Sequence, residues 1–291
     1  MENTCACVIL NYNDWRTTKK LVQQISDYTS IGQIIVVDNC SSDDSYEQLK
    51  QIEAEKVTVI LTERNGGYGY GNNFGIRFAK SKGFRYVLLS NPDVIFSEES
   101  VKTMIQSAQN KQNLAIVSGI QLNINRERIR PFAWKIPTVH EACIYPTKYA
   151  YRKKITLYDD AHFKESDLCY VDCVPGALLL IDVNMFLEVG GYDERMFLYC
   201  EETTIGIKLR DAGYSTAILP LETYVHEHAV SISKSIKSES KQAKMIAQNR
   251  LFIMKNYLHA NRFQMLVANC IYRFCLIKGR VKGKIKRIIK K

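Results

Sequence analysis

Short apolar runs alternate with helical patterns along the first part of the chain. The runs are rich in β-branched residues and end at polar residues, as buried strands do; they cover residues 7–10, 34–37, 57–61 and 85–90. Between them, helices are predicted from Trp15 to Tyr28, after Ser41-Ser42-Asp43, and from Asn72 to Lys82. This alternation predicts an α/β fold with a mostly parallel central sheet and helices on both faces.

Polar residues follow three of these runs where each strand is expected to end. They are Asn11-Tyr12-Asn13, Asp38-Asn39 and Asn91-Pro92-Asp93. In open parallel sheets, ligands bind in a crevice outside the carboxyl ends of the strands. The three clusters therefore predict one binding crevice of the nucleotide type.

Asp93 is the candidate for holding a metal ion. Mg²⁺ is usually bound by one or two carboxylates together with phosphate oxygens of a substrate. A single Asp after a buried strand is therefore compatible with a nucleotide-bound cation. The alternative is turn chemistry, because Asn and Asp beside proline are also common in turns.

A glycine-rich stretch from Arg64 to Gly75 follows the third strand. It fits the pattern G-x-G-x-x-G only superficially, and no acidic residue follows at the expected distance of about 20 positions. Glycines nevertheless allow a backbone to approach a ligand closely, and a helix N-terminus offers free N–H groups to phosphate. A phosphate contact is the favoured interpretation, and a plain connector is the alternative.

The second half of the chain carries candidate bases. Residues 126–170 lose clean periodicity and contain Trp134, which favours a segment that covers the substrate or moves; simple packing of Trp134 is the alternative. After an apolar strand at 178–181, Glu201 and Glu202 precede a helix predicted from 203 to 212. The helix dipole stabilises carboxylates at this position, and a carboxylate in a partly dry cleft can also remove a proton from a hydroxyl.

Composition is that of an ordinary globular chain. Of its 291 residues, 46% are hydrophobic and 24% are charged, which is enough for one substantial core or two modest ones. The nine cysteines form no C-x-x-C pair, and no apolar run follows a basic start. We therefore expect free thiols, no secretory signal and a cytoplasmic location.

The net charge of +10 is concentrated near the C-terminus, where eight basic residues between Lys278 and Lys291 leave only +2 for the rest. The apolar residues that recur among them at helical spacing are Val281, Ile285, Ile288 and Ile289. This pattern favours an amphipathic helix on an anionic membrane surface, and a disordered solvated tail is the alternative. A nucleic-acid partner is not expected, because the tail contains no recognised binding motif. The apolar stretch 263–277 is shorter than the ~20 residues that span a bilayer.

The order of these motifs resembles that of family 2 glycosyltransferases, most closely their bacterial rhamnosyltransferase branch. The matching segments between roughly residues 5 and 235 are 11–13, 37–39 with 41–43, 65–75, 91–93, 190–193 and 197–202. The resemblance implies a GT-A fold, a nucleotide-sugar donor such as a dTDP- or UDP-sugar, Mg²⁺ or Mn²⁺, and inversion at the anomeric carbon. It implies a catalytic domain over 1–238, divided near residue 120 into nucleotide-sugar and acceptor halves, and a helical basic extension over 239–291.

The resemblance also implies roles for individual residues. Glu202 matches the general base of the family's Glu-Asp pair, with Glu201 beside it. Asp93 matches the last carboxylate of the D-x-D metal site, in which Asn91 replaces the first Asp, and His226 resembles a late histidine near the metal or diphosphate. The residues expected to bind the nucleotide sugar are Asn11, Tyr12, Asn13, Asp38 (at the nucleoside), Asn39, Asn65, Gly66, Gly67, Tyr68, Gly71, Asn72 and Asn91. The residues expected on the acceptor side are Gly176, Ala177 and Trp134.

Three positions depart from the family pattern. Cys40 stands where the family usually has Gly, and Thr204 replaces a common second Asp. Glu202 replaces the usual Asp, which moves the carboxylate outward by one methylene and leaves Glu201 as an alternative base.

The implied function is transfer of rhamnose or another hexose from a nucleotide-diphosphate donor to a hydroxyl of a glycan or lipid-linked glycan, in cell-surface polysaccharide synthesis. The implied location is peripheral, at the inner face of the plasma membrane. The alternatives are a catalytically inactive relative and a nucleotidyltransferase. A nucleotidyltransferase is expected to carry a basic phosphate loop near the first strand, and Asn11-Tyr12-Asn13-Asp14 is not such a loop.

Overall fold

The computed structural model describes residues 5–164, 167–227 and 238–289. The chain divides into two compact units. The first unit comprises 1–134 and 158–235, and the second comprises 135–157 and 236–291. The expected end of the catalytic domain at residue 238 stays a prediction. The second unit contains residues 135–157 from the middle of the chain in addition to the C-terminal residues.

One mixed sheet forms the centre of the first unit. Its described strands are β1 (Cys5–Asn11), β2 (Gln33–Asp38), β3 (Val57–Leu61), β4 (Tyr86–Ser90), β5 (Val94–Ile95), β6 (Leu114–Leu122), β7 (Cys169–Val171), β8 (Leu178–Asp182) and β9 (Ser215–His226). They lie in the order β3-β2-β1-β4-β8-β6-β9-β5, and β7 pairs with β9. Strands β1 to β4 pair in parallel, as do β6 and β9, whereas β8 joins the two halves through antiparallel pairs.

Helices follow most strands. They are α1 (Trp15–Ile25), α2 (Ser45–Lys50), α3 (Tyr68–Ser81), α4 (Glu98–Gln109), α5 (Val139–Ile144), α6 (Lys148–Lys153), α7 (Val183–Glu188), α8 (Glu201–Asp211), α9 (Glu239–Asn256) and α10 (Arg262–Ile289). Capping side chains mark the N-termini of several helices. Ser97 accepts a hydrogen bond from Ser100 N at the N-terminus of α4, and Asp182 accepts one from Asn184 N at the N-terminus of α7. The predicted α/β fold is confirmed, with antiparallel pairs in the second half of the sheet.

The centre of the sheet is buried on both faces. Cys7 and Ile9 of β1 belong to one core, which also contains residues of α1, α2 and α4. Ala6 and Val8 belong to the other core, with residues of α3, α7 and α8. Because successive strand residues point to opposite faces, a strand covered on both sides is apolar throughout, which explains the continuous runs in the sequence.

The glycine-rich stretch forms the first turns of α3, which begins four residues before the predicted Asn72. Gly71 lies against β1, because a Cβ at this position would come 2.4 Å from Leu10 Cδ1. Gly75 is in the same situation, 2.6 Å from Val8 Cγ1. These glycines therefore bring the helix close to the sheet, and contact of the stretch with a phosphate stays a prediction.

The second unit has its own small core. Ala142 and Cys143 of α5 pack with Met254 of α9 and with Ala268 and Tyr272 of α10. The Tyr272 hydroxyl donates a 2.9 Å hydrogen bond to the carbonyl of Ala142. Within the described residues, none of the helices combines the length and the apolar content needed to cross a membrane.

Candidate active site

A cavity of about 310 Å³ opens at the carboxyl ends of β1, β2 and β4 in the first unit. The residues that line it are Leu10, Tyr12, Asp14, Asn39, Asn65, Gly67, Tyr68, Asn91, Pro92, Gln121, Pro175, Gly176, Ala177, Phe197, Leu198, Tyr199, Cys200, Glu201, Glu202 and His226. All three strand-end clusters predicted from the sequence contribute to this wall. A crevice at this edge is the usual ligand site of an open α/β sheet.

The cavity brings together eleven of the nineteen residues expected in the site. Those that line it are Tyr12, Asn39, Asn65, Gly67, Tyr68, Asn91, Gly176, Ala177, Glu201, Glu202 and His226. Those that do not line it are Asn11, Asn13, Asp38, Gly66, Gly71, Asn72, Asp93 and Trp134. Within the second group, Asp93 pairs with the lining residue His226, and the carbonyl of Asn11 accepts a hydrogen bond from the N–H of the lining residue Asn39.

Asp38 is completely buried and is satisfied within the protein. Its Oδ2 accepts hydrogen bonds from Asn11 Nδ2 at 2.7 Å and from the Ser41 hydroxyl at 2.7 Å, and its Oδ1 accepts one from Ser41 N at 2.8 Å. Asn11 in turn accepts a 2.8 Å hydrogen bond from the Thr18 hydroxyl. This network fixes the loops after β1 and β2, while contact of Asp38 with a nucleoside stays a prediction.

Asn39 and Asn65 fix the start of α3. Asn39 Nδ2 donates to Asn65 Oδ1 and to the carbonyl of Gly67, each at 3.1 Å. Asn65 Oδ1 also accepts from Gly67 N at 3.1 Å, and Tyr68 N donates to the carbonyl of Phe197 at 2.9 Å. The N–H groups of Gly67 and Tyr68 are thus used within the protein.

Gly67 allows the segment before α8 to approach α3. Its φ is +91°, and a Cβ there would lie 2.1 Å from the carbonyl oxygen of Phe197. Further along this segment, Tyr199 and Cys200 both have left-handed backbones, with φ of 76° and 72°. Two successive non-glycine residues in this region store strain, which is found mostly at functional sites. The next two residues are Glu201 and Glu202, at the first turn of α8.

Glu201 is a buried carboxyl in the cavity wall. Its side chain is 3% exposed, and its Oε1 has no hydrogen-bond partner among the described residues. Burial, followed by the repulsion of the Glu202 carboxylate, raises the pKa of Glu201 to about 8. Glu201 is therefore mostly protonated at neutral pH.

Glu202 lies beside Glu201 and also faces the cavity. Burial raises its pKa, whereas hydrogen bonds from its own backbone N–H and from that of Gly176 act in the opposite direction. Gly176 is close, since a Cβ there would be 3.2 Å from Glu202 Oε1 and 3.5 Å from the Tyr68 hydroxyl. The Tyr68 hydroxyl donates a 2.7 Å hydrogen bond to the Gly176 carbonyl. The backbone of Gly176 is therefore hydrogen-bonded to the side chains of both Glu202 and Tyr68.

Asp93 and His226 form a buried pair beside the cavity. His226 Nε2 lies 3.2 Å from Asp93 Oδ1, and the two residues are 7% and 4% exposed. The antiparallel pairing of β5 with β9 sets this distance, because Val94 is opposite His226 and Glu227 N donates to the carbonyl of Asp93 at 2.9 Å.

This pair fits a divalent cation only in part. A carboxylate oxygen and an imidazole nitrogen are suitable ligands, and a hard cation can take its other ligands from diphosphate and water. Among the described residues, no group of three or more His, Cys, Asp or Glu side chains is arranged to hold a metal by itself. The donor set is therefore compatible with a metal that is shared with a phosphate ligand.

Trp134 belongs to the support of α8. Its indole Nε1 donates a 3.2 Å hydrogen bond to the Thr203 hydroxyl, and its backbone exchanges two 3.0 Å hydrogen bonds with Cys173. Gly66 packs under Tyr70, and Asn72 is buried at 1% exposure. Contact of these residues with a substrate stays a prediction.

Several lining residues were not among those expected from the sequence. Gln121 is a polar residue inside the apolar strand β6, and this break in the run is the signal that identifies it. Phe197, Leu198, Tyr199 and Cys200 belong to a motif that the resemblance includes, but their position in the wall follows from the contact between Phe197 and Gly67.

Residues 6–171, more than half of the chain, match the family model described as Glycosyl transferase family 2. The chain is 27% identical over 241 residues to the low-salt glycan biosynthesis hexosyltransferase Agl10 of Haloferax volcanii, covering 79% of this chain and 72% of that protein. It is 24% identical over 266 residues to the rhamnosyltransferase WbbL of Escherichia coli K12, covering 86% of this chain and 95% of that protein.

Solved glycosyltransferases share the fold. The mannosyltransferase PcManGT from Pyrobaculum calidifontis, solved with GDP-Man and Mn²⁺, superposes with a TM-score of 0.59 at 13% identity, over 96% of this chain and 80% of that one. GalNAc-T7, solved with UDP, GalNAc and Mn²⁺, gives a TM-score of 0.59 at 16% identity, over 77% of this chain. This chain spans only 44% of GalNAc-T7. At these identities the likeness shows the fold alone, and the expected GT-A fold is confirmed.

Proposed function

The chain belongs to glycosyl transferase family 2, and we propose that it transfers a hexose, such as rhamnose, from a nucleotide diphosphate to a hydroxyl of a glycan or lipid-linked glycan. Relatives described as a rhamnosyltransferase and a hexosyltransferase support this sugar class. Solved structures of the same fold that contain UDP or GDP-Man support a nucleotide-sugar donor.

The observation that carries the proposal is the Glu201–Glu202 pair in the cavity wall. Burial raises the pKa of both carboxyls, but only Glu202 also accepts a backbone hydrogen bond from Gly176, which favours its ionised form. An ionised carboxylate at the edge of a partly dry cavity can take the proton of an acceptor hydroxyl. We assign Glu202 as the general base and Glu201 as its neutral neighbour.

We infer that the sugar is transferred with inversion at the anomeric carbon. When the hydroxyl attacks the anomeric carbon from the side opposite the diphosphate, the configuration inverts and no covalent enzyme intermediate forms. Inverting glycosidases likewise use a carboxylate base on the face opposite the leaving group. Gly176, which lies close to Glu202, and Ala177, which lines the same cavity, are assigned to the acceptor side.

The strand-end residues are assigned to the donor. Tyr12, Asn39 and Asn65 line the cavity at the ends of β1 and β2 and after β3, where they can hold the nucleotide. The Asn11–Asp38–Ser41 network keeps the first two of these loops in fixed positions. Asn91 follows β4 and is assigned to the side of the cavity nearest Asp93.

Asp93 and His226 are assigned to a divalent cation, Mg²⁺ or Mn²⁺. Such an ion, when bound, would neutralise the charge that develops on the departing diphosphate. The residues themselves provide a buried carboxylate next to the cavity and an imidazole that faces it. Complexes of the same fold that contain Mn²⁺ support this assignment.

Membrane association is part of the proposal. The lipid-linked acceptor class suggests a protein at the membrane surface, and the eight basic residues between Lys278 and Lys291 suit the anionic inner leaflet. The side chains beyond residue 279 lie outside the described residues, so the sequence alone supports this contact.

The test of the proposed function is Glu202→Gln. Release of nucleoside diphosphate from dTDP-rhamnose and UDP-hexoses, with a lipid-linked glycan acceptor, is measured together with donor affinity. We expect kcat to fall at least about a hundredfold with little change in donor affinity, because the base acts in the transition state. A larger loss in Glu201→Gln would exchange the two roles. A wild-type protein that binds donors but transfers no sugar would indicate an inactive relative.

A further inference from the structure

Helix α10 of the second unit has one buried face. Ala268 and Tyr272 are 0% and 1% exposed, and Met265 and Leu276 pack around them. These residues meet α5 and α9, and the hydrogen bond from Tyr272 to Ala142 fixes the contact. The core of the unit therefore accounts for this face of the helix.

The opposite face exposes large apolar side chains. The exposed fractions are 73% for Phe263, 63% for Leu266, 66% for Phe274 and 59% for Ile277. At about 100° per residue, these four positions lie within an arc of about 80° on the helix. We call these four residues the α10 stripe. Large exposed apolar side chains grouped on one face of a helix are typical of an interaction site.

Basic residues border the stripe. Arg262 and Arg273 are exposed along one edge and Lys278 along the other, with Lys278 Nζ 5.9 Å from the centre of the Phe274 ring. A lysine can lay its alkyl chain on an apolar surface while its ammonium group stays in water. This arrangement places positive charge at the margin of the apolar strip.

Charge in the surrounding sequence has one sign. Glu239 is the last acidic residue, and fourteen basic residues lie between 240 and 291. Subtracting these from the net charge of +10 leaves −4 for residues 1–239. Two copies of this segment would repel each other, whereas an anionic bilayer surface attracts it.

We propose that the α10 stripe inserts into the interfacial region of an anionic lipid bilayer, with the bordering arginines and lysine at the headgroups. This rests on the membrane association proposed above and extends it from charge attraction by residues 278–291 to insertion of apolar side chains. The sequence repeats the apolar spacing at Val281, Ile285 and Ile288, which would lengthen the same contact.

The experiment measures sedimentation of the full chain with vesicles of phosphatidylcholine containing one quarter phosphatidylglycerol. The test variant replaces Phe263, Leu266, Phe274 and Ile277 by Ser, and the matched control replaces the exposed Ile124 and Leu221 of the first unit by Ser. We expect the partition coefficient to fall at least about tenfold in the stripe variant and to stay unchanged in the control. Circular dichroism checks that both remain folded.

A fluorescent probe on Cys270 supplies a second readout, in which the four apolar residues of the α10 stripe remain unchanged. Cys270 is exposed and lies within the arc of the stripe, and Cys40 is an exposed cysteine of the first unit. An environment-sensitive fluorophore on Cys270, in a Cys40→Ser background, should shift to the blue with anionic vesicles. The same fluorophore on Cys40, in a Cys270→Ser background, should not shift.

Three results would overturn the proposal. They are vesicle binding by the stripe variant equal to that of the wild type, no shift of the Cys270 probe, and a wild-type dimer that the stripe variant converts to a monomer. The last result would identify a second copy as the partner. Sugar transfer to a short soluble acceptor is measured in parallel, so that failure of the proposed enzyme activity is seen separately from failure of membrane insertion.

Discussion

Replacing Glu201 by Gln tests the buried carboxyl pair through protein stability. Gln has nearly the shape of a protonated Glu but cannot ionise. Glu201 has a pKa of about 8 in the folded protein, against 4.5 for an ordinary Glu. The folded state therefore holds a proton that the unfolded state has lost between these two pH values. Stability of the wild type accordingly falls as pH rises through this window, and the variant lacks this loss.

The size of the effect follows from the two pKa values. At ~1.4 kcal/mol per pH unit, the difference between about 8 and 4.5 corresponds to about 5 kcal/mol as an upper limit at pH above 8. Water in the cavity can relax around an ionised carboxylate, so we expect about 2–3 kcal/mol. At pH 5 the wild type and the variant should be almost equally stable.

The assay is urea unfolding at pH 5 and pH 8.5, followed by tryptophan fluorescence. The two tryptophans, Trp15 and Trp134, are both in the first unit, so the signal reports the unit that contains the site. The matched control is Glu63→Gln, which removes an exposed carboxylate. A stability difference between wild type and Glu201→Gln that is the same at both pH values would refute the buried, protonated Glu201.

Two further changes test the metal assignment and the approach of α3 to the segment before α8. Asp93→Asn should remove the stimulation of sugar transfer by Mg²⁺ or Mn²⁺ while the chain stays folded; full wild-type activity in excess chelator would contradict the assignment. Gly67→Ala should destabilise the first unit by more than ~2 kcal/mol in the same urea assay, because both strain and a clash with Phe197 arise. Gly83→Ala, with φ +86° and open space, is the control for strain alone.

The first part of the sheet could be predicted because its signal is local. Strands β1, β2 and β4 are buried along almost their whole length, so their residues are mostly apolar, and the polar residues where they end mark the ligand edge. The prediction that α3 begins at Asn72 misses its first turn, which contains Gly69 and Gly71, and glycine usually weakens a helix. Here Gly71 and Gly75 are required by the close approach of α3 to β1, which is a tertiary property.

The grouping of residues 135–157 with the C-terminal helices could not be predicted. Helices α5 and α6 have six residues each, too short for a hydrophobic period to be recognised. The buried residues of α5 that meet α10 are the small Ala142 and Cys143, which carry little signal of their own. Their partner Tyr272 lies 130 positions away along the chain from Ala142.

The different environments of Glu201 and Glu202 could not be predicted from the sequence. Adjacent glutamates at a helix start can be explained by the helix dipole, so the sequence alone leaves a structural role open for both. At about 100° per residue, neighbours on a helix face different surroundings. Both carboxyls line the cavity, but Oε1 of Glu201 is buried with no hydrogen-bond partner in the part of the chain that the structure describes, while Glu202 lies next to Gly176. Tyr199 and Cys200, immediately before this turn, both have a left-handed backbone. The difference between the two carboxyls, on which the assignment of the base depends, therefore arises from tertiary contacts.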